Sequence, residues 1–193
     1  MESILQLDQR IFLFFNGLHV DWLDPIMIWA SNEIVWYPAY ALIIWLIFRT
    51  YQNWRLSALT VVLIILAVIS ADSFTSKVMK PYFKRPRPTH ELAIKDQVHT
   101  VYGYRGGQYG FASSHAANTF AFAMLAWLLF RGYWRYAGWF FAWAIAIAYT
   151  RMYLGVHYPL DLATGALVGV LFALLYYQLI LWLRHRLQLQ AAG

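Results

Sequence analysis

Residues 56–79 read LSALTVVLIILAVISADSFTSKVM, and no position from Val61 to Ile69 carries a polar side chain. An α-helix rises about 1.5 Å per residue, so a run of this length crosses a hydrocarbon core of about 30 Å. Four further apolar runs flank it, at 22–48, 113–130, 136–152 and 158–183. Asn32 and Glu33 lie inside the first of these and mark where it meets the outer headgroups. A shorter segment, 5–20, is interrupted by Asp8, Gln9, Arg10 and Asn16 and reads as a helix lying in the membrane interface. Residues 80–112 are polar, contain Pro81, Pro86, Pro88 and several glycines, and read as an ordered loop outside the lipid. The expectation is an all-α integral membrane bundle with five transmembrane helices and one N-terminal interfacial helix, forming one domain over 1–193.

The composition agrees with that pattern. Of 193 residues, 61% are hydrophobic and 12% charged, about half the charge of a soluble domain. A soluble globule of this size could not hide so much apolar surface, and disorder has the opposite signature. The formal net charge is +6, but the basic residues are scattered between apolar runs. They form no single polar face, so a nucleic-acid partner is not expected. The chain has no cysteine, which excludes disulfides and thiolate metal sites.

Charge also sets an expected orientation. Three segments share one side: 49–55, 131–135 and the tail from Arg184. They hold six arginines and no acid, so this side should be cytoplasmic. Trp54, Trp134 and Trp182 lie beside those arginines, where an aromatic belt belongs. The 80–112 loop and the 151–158 turn then face outward.

Three clusters fall on that outer side. They are Lys80-Pro-Tyr-Phe-Lys-Arg-Pro-Arg87-Pro88, Ala112-Ser113-Ser114-His115, and Thr150-Arg151 through His157 to Asp161. Lys80, Arg87 and Arg151 bring three fixed positive charges from three elements, which suits a phosphate dianion. Ser113 and Ser114 sit where a helix begins, and free N–H groups there bind anions. Pro159 fits the first helical position, which puts Asp161 in the first turn, four residues after His157. Asp161 can then hold one ring nitrogen of His157 and leave the other as a nucleophile. His115 remains as a proton donor. Together these groups point to phosphoryl transfer through a phosphohistidine. No HExxH or carboxylate cluster is present in the sequence, so neither a metal nor another cofactor is expected.

The pattern Lys80-x6-Arg87-Pro88, Ser113-Ser114-His115 and Arg151-x5-His157-x3-Asp161 resembles the type-2 phosphatidic acid phosphatase superfamily. The resemblance implies His157 as nucleophile, Asp161 as its orienting group and His115 as the acid. It implies Lys80, Arg87, Ser113, Ser114 and Arg151 as phosphate ligands. Two positions depart from the family pattern, with Ser114 at a glycine position and Thr150 at a serine position. The expected activity is metal-independent hydrolysis of a lipid phosphate at the outer face of the inner membrane. Undecaprenyl diphosphate is the first expected substrate, with phosphatidylglycerophosphate, phosphatidic acid and lipid A as alternatives. Vanadate-dependent haloperoxidase and non-enzymatic lipid binding or transport are the rival readings.

Lys77, Lys84 and Arg85 read singly as interfacial anchors that snorkel. His19, His90, His99 and His185 read as structural. Asp72 has two readings: support for Lys80, or packing against Ser73, Thr75 or Ser76.

Overall fold

The computed structural model describes residues 3–51 and 53–191. Gln52, inside the arginine-bearing turn at 49–55, lies outside the described residues. Every regular element among the described residues is helical, and their one β-type contact is an isolated bridge between Pro86 and Tyr109.

Helix α1 (Ile4–Asn16) opens with a capping box, in which Ser3 and Gln6 satisfy each other's backbone N–H groups. Its buried positions are Asp8, Phe12 and Asn16, spaced by four, while Ile4, Leu7, Ile11 and Phe14 face outward. The helix therefore turns two polar groups inward and its aliphatic side outward, the reverse of a soluble amphipathic helix. Phe12 packs edge-on against Tyr158 at 5.4 Å.

The run at 22–48 is not one helix. It divides into α2 (Asp24–Ala30), a 3₁₀ turn at Glu33–Trp36, and α3 (Tyr37–Tyr51). The break falls at Asn32, whose side chain accepts a hydrogen bond from the Ile34 N–H at 3.1 Å. A local side-chain cap here competes with the helical ladder.

Helix α4 (Trp54–Ser73) continues through a π-helical turn at Phe74–Met79 into α5 (Lys80–Phe83). The helical path thus extends past the expected end at 79. It stops at Lys84, which adopts φ 47° just before Arg85-Pro86. Helix α6 (Ser114–Phe130) matches its expected run closely. Helix α7 (Trp139–Tyr153) starts three residues later than expected because 136–138 belong to the preceding turn. Helix α8 (Pro159–Ala191) runs past 183, so Arg184, His185 and Arg186 are helical.

Glu33–Tyr51, Trp54–Phe83 and Pro159–Arg186 are long and apolar enough to cross a membrane. Helices α6 and α7 are shorter, at 17 and 15 residues. The all-α membrane bundle expected from the sequence is what the chain forms. Arg55 and Arg186 lie over the rings of Trp54 and Trp182, at 5.7 and 5.5 Å.

The tightest packing joins α6 to α8. A Cβ at Gly169 would stand 2.2 Å from the Ala117 carbonyl oxygen, and one at Gly165 would stand 2.3 Å from that of Ser113. Ala117 and Ala121 on the facing helix are fully buried. Small residues on both helices let the backbones approach, which is how membrane helices gain dispersion contact. Replacing Gly169 with Val should lower the thermal midpoint in detergent by roughly 5 °C, the cost of overpacking a tight contact. Gly132→Ala, where a Cβ would meet nothing within 4 Å, should leave it unchanged.

Candidate active site

The short segment before α8 sets the geometry. Gly155, at φ +75°, ends α7, and a Cβ there would lie 2.8 Å from the His99 carbonyl oxygen. The chain then passes through His157 and enters α8 at Pro159. His157 and Asp161 are almost wholly buried. Nδ1 of His157 faces Oδ2 of Asp161 at 3.4 Å, and the Tyr158 N–H donates to the same oxygen at 3.1 Å. The i, i+4 relation expected from the sequence is present, and Nε2 of His157 is the nitrogen left over. Burial, and then the charges of Arg87, Arg151 and Lys80, hold the His157 ring well below the usual histidine range. It is therefore unprotonated at neutral pH.

Arg87 comes from the loop after α5. Its N–H donates to the Gln108 carbonyl at 3.0 Å, and the Gly110 N–H donates to the Arg85 carbonyl at 2.9 Å. The loop is thereby folded back on itself across the Pro86–Tyr109 bridge. Nε of Arg87 donates to the Tyr109 carbonyl at 3.1 Å. Gly110 passes close to the His157–Asp161 pair: a Cβ there would be 2.9 Å from Asp161 Oδ2 and 3.5 Å from His157 Nδ1.

Arg151, in the last turn of α7, donates from Nη1 to Ser31 Oγ and from Nη2 to Tyr104 Oη at 3.0 Å. Nη1 of Arg87 and Nε of Arg151 are buried with no hydrogen-bond partner. Two buried cationic donors left open in this way are costly unless an anion satisfies them.

Lys80 reaches α6 from the end of the π-helical turn. Its Nζ donates to Ser114 Oγ at 2.9 Å, and Thr75 Oγ1 donates to the same oxygen at 3.0 Å. Ser113 is the N-cap of α6, where its Oγ accepts from the Ala116 N–H at 3.4 Å. Its own N–H donates to the Asp161 carbonyl at 3.0 Å, tying the start of α6 to the start of α8. The charges of Arg151, Lys80 and Arg87 all reach His115, one residue into α6. Its Nε2 lies 3.7 Å from Glu33 Oε1.

All eight residues singled out from the sequence therefore gather at one end of the bundle, around His157. Asp72 is held by Asn118 Nδ2 at 3.1 Å and by the hydroxyl of Ser76 at 3.4 Å, which fits the packing reading, and its charge also reaches Lys80, which fits the supporting one. His19 and His99 stack at 3.7 Å, and His99 pairs with Asp24.

Arg85 differs from its expected part as a surface anchor. Its Nη1 donates to Asp161 Oδ1 at 2.9 Å and its Nη2 to Asp8 Oδ2 at 2.6 Å. The sequence reading missed Arg85, Asp8, Ser31 and Tyr104. Asp8 alone carried a usable signal, an acid within an apolar segment.

A family model described as the PAP2 superfamily matches residues 58–185. Lipid A 4'-phosphatase of Bacteroides thetaiotaomicron is 37% identical, over 97% of this chain and 83% of its own. Putative undecaprenyl-diphosphatase YbjG of Escherichia coli is 30% identical, over 78% of this chain and 70% of its own. The crystal structure of Aquifex aeolicus LpxE superposes with a TM-score of 0.64 at 25% identity, covering 89% of this chain and 95% of that one.

A site with two open cationic donors should be stabilised by an oxyanion. Orthovanadate at a hundredfold excess over its Kd should add about 2.7 kcal/mol to the folded state, visible as a raised thermal midpoint. The Arg87→Ala/Arg151→Ala double variant should show no such rise.

Proposed function

We propose, from the premise that the chain belongs to the PAP2 superfamily, that it removes a phosphate group from a lipid of the lipid A class through a phosphohistidine. It is a membrane phosphate-ester hydrolase by family. The observation that carries the covalent route is His157: unprotonated, backed by Asp161, and set among three cations, two with buried open donors.

In the first step, Nε2 of His157 attacks phosphorus, and the bond from phosphorus to the lipid oxygen breaks. The phosphate charge offsets the surrounding cations and lets His115 hold a proton, which it gives to that departing oxygen. Lys80, Arg87 and Arg151 hold the phosphoryl oxygens, together with the Ser114 hydroxyl and the free N–H groups at the start of α6. They stabilise the charge that builds up on those oxygens. In the second step, His115 takes a proton from water, the water oxygen bonds to phosphorus, and the P–N bond breaks. Inorganic phosphate leaves, and both histidines return to their starting states.

The lipid A class is favoured over undecaprenyl diphosphate by the relatives' names and by their degrees of identity. A lipid tail also has a place to go. An apolar cavity of about 260 Å³ lies between α3, α4 and α6, lined by residues such as Ile44, Ile65 and Phe122, and it reaches His115. The tail can stay among apolar side chains while its phosphate enters the cationic site. The site lies at the end of the bundle opposite the arginine-bearing segments, which supports a reading of it as facing outward from the inner membrane.

Purified full chain with a chelator present should release phosphate from lipid A faster than from undecaprenyl diphosphate, phosphatidylglycerophosphate or phosphatidic acid. A reversed order would overturn the substrate class. With ³²P-labelled lipid A, an alkali-stable label should appear on the protein and vanish in His157→Ala. Full activity in that variant would remove the nucleophile assignment.

Orientation has its own check. A cysteine placed at Gln108 should react with an impermeant maleimide in cells whose outer membrane alone has been opened. Reaction only after the inner membrane is breached would reverse the proposed face.

A further inference from the structure

Arg85 spends its guanidinium on two carboxylates from distant parts of the chain. One is Asp161 at the start of α8, and the other is Asp8 on α1. The guanidinium lies over the Tyr158 ring, 4.0 Å from its centre. The second oxygen of Asp8 accepts the Leu160 N–H at 2.9 Å, so Asp8 also holds the first turn of α8. The side chains of Asp8 and Asp161 are 2% and 0% exposed, and that of Arg85 is 16% exposed.

We propose that Arg85 and Asp8 are positioning residues, which lock the carboxylate of Asp161 so that its Oδ2 stays on Nδ1 of His157. The inference rests on the phosphohistidine reading above. Oδ1 of Asp161 takes its charge-assisted bond from Arg85, while Oδ2 serves His157 and the Tyr158 N–H. Without Arg85, a buried carboxylate oxygen loses its cation and has no water to replace it. The carboxylate then has reason to turn, and the histidine it steadies turns with it. A planar guanidinium tied at two nitrogens cannot rotate about its own axis. That is the contribution of Asp8, which pins the far side of the fork. Nη1 and Nη2 of Arg85 are both engaged, whereas Arg87 and Arg151 keep open donors for a phosphate. The interfacial helix α1 is by this route part of the catalytic assembly.

The test uses the full chain in detergent micelles with ³²P-labelled lipid A, quenched in alkali. In Arg85→Ala the rate of label formation should fall about 10- to 100-fold, a usual cost of removing a group that steadies an active-site histidine. The final amount of label, the KM and the inhibition constant of vanadate should stay within twofold. Arg85→Lys should recover only part of the rate, because an ammonium lacks the two-sided fork. Asp8→Ala should slow labelling less, and the double variant should be no slower than Arg85→Ala alone.

A raised KM and weakened vanadate inhibition at an intact rate would make Arg85 a phosphate ligand and overturn the proposal. A smaller amount of label formed at the normal rate would make its role merely structural, with the same consequence. The underlying reading fails separately, through phosphate release by His157→Ala. If that variant is dead while Arg85→Ala labels at the wild-type rate, only the positioning inference falls.

Discussion

The structure turns on one buried charge. Asp161 is fully enclosed, and a carboxylate removed from water survives only if each oxygen finds a partner. Oδ1 takes Arg85, and Oδ2 takes the Tyr158 N–H and faces His157. Its main-chain carbonyl takes the Ser113 N–H. Satisfying this residue brings together α6, the start of α8 and the loop after α5, and through Arg85 it also recruits α1. Those are the elements that carry His157, His115 and most of the cationic side chains. The needs of one carboxylate and the geometry of the site are thus met by the same contacts.

Close approach makes those contacts possible. Gly165 and Gly169 admit the α6 backbone to within a distance that any side chain would block, and Gly110 does the same for the loop beside Asp161. The cationic side of the site is less satisfied. Arg87 and Arg151 keep buried donors without partners, each of which costs about 1–3 kcal/mol until an anion satisfies it. That cost is returned when an anion arrives.

Much of this was legible in the linear chain. Apolar run lengths supplied the helical membrane bundle, and three motifs with fixed spacing marked eight residues that do gather. His157 and Asp161 were readable because i, i+4 on a helix start is a local relation. The helix break at Asn32 was only half legible, since a polar residue in an apolar run marks either a headgroup boundary or a cap. Arg85 was misread because an arginine near a membrane surface usually snorkels. Its two partners are 76 and 77 residues away in sequence, and no local pattern encodes such a distance.

By itself, then, the sequence determined the solvent the protein lives in, the class of fold and the kinds of side chain that gather at its site. Hydrophobicity, periodicity and residue type act locally and survive in one dimension. Tertiary structure alone decided which charges are paired and which are left open. Three arginines near the site are alike in sequence, yet Arg85 is neutralised by two acids while Arg87 and Arg151 retain free donors. The difference arises from burial and from partners delivered by other helices, and those exist only once the chain has packed.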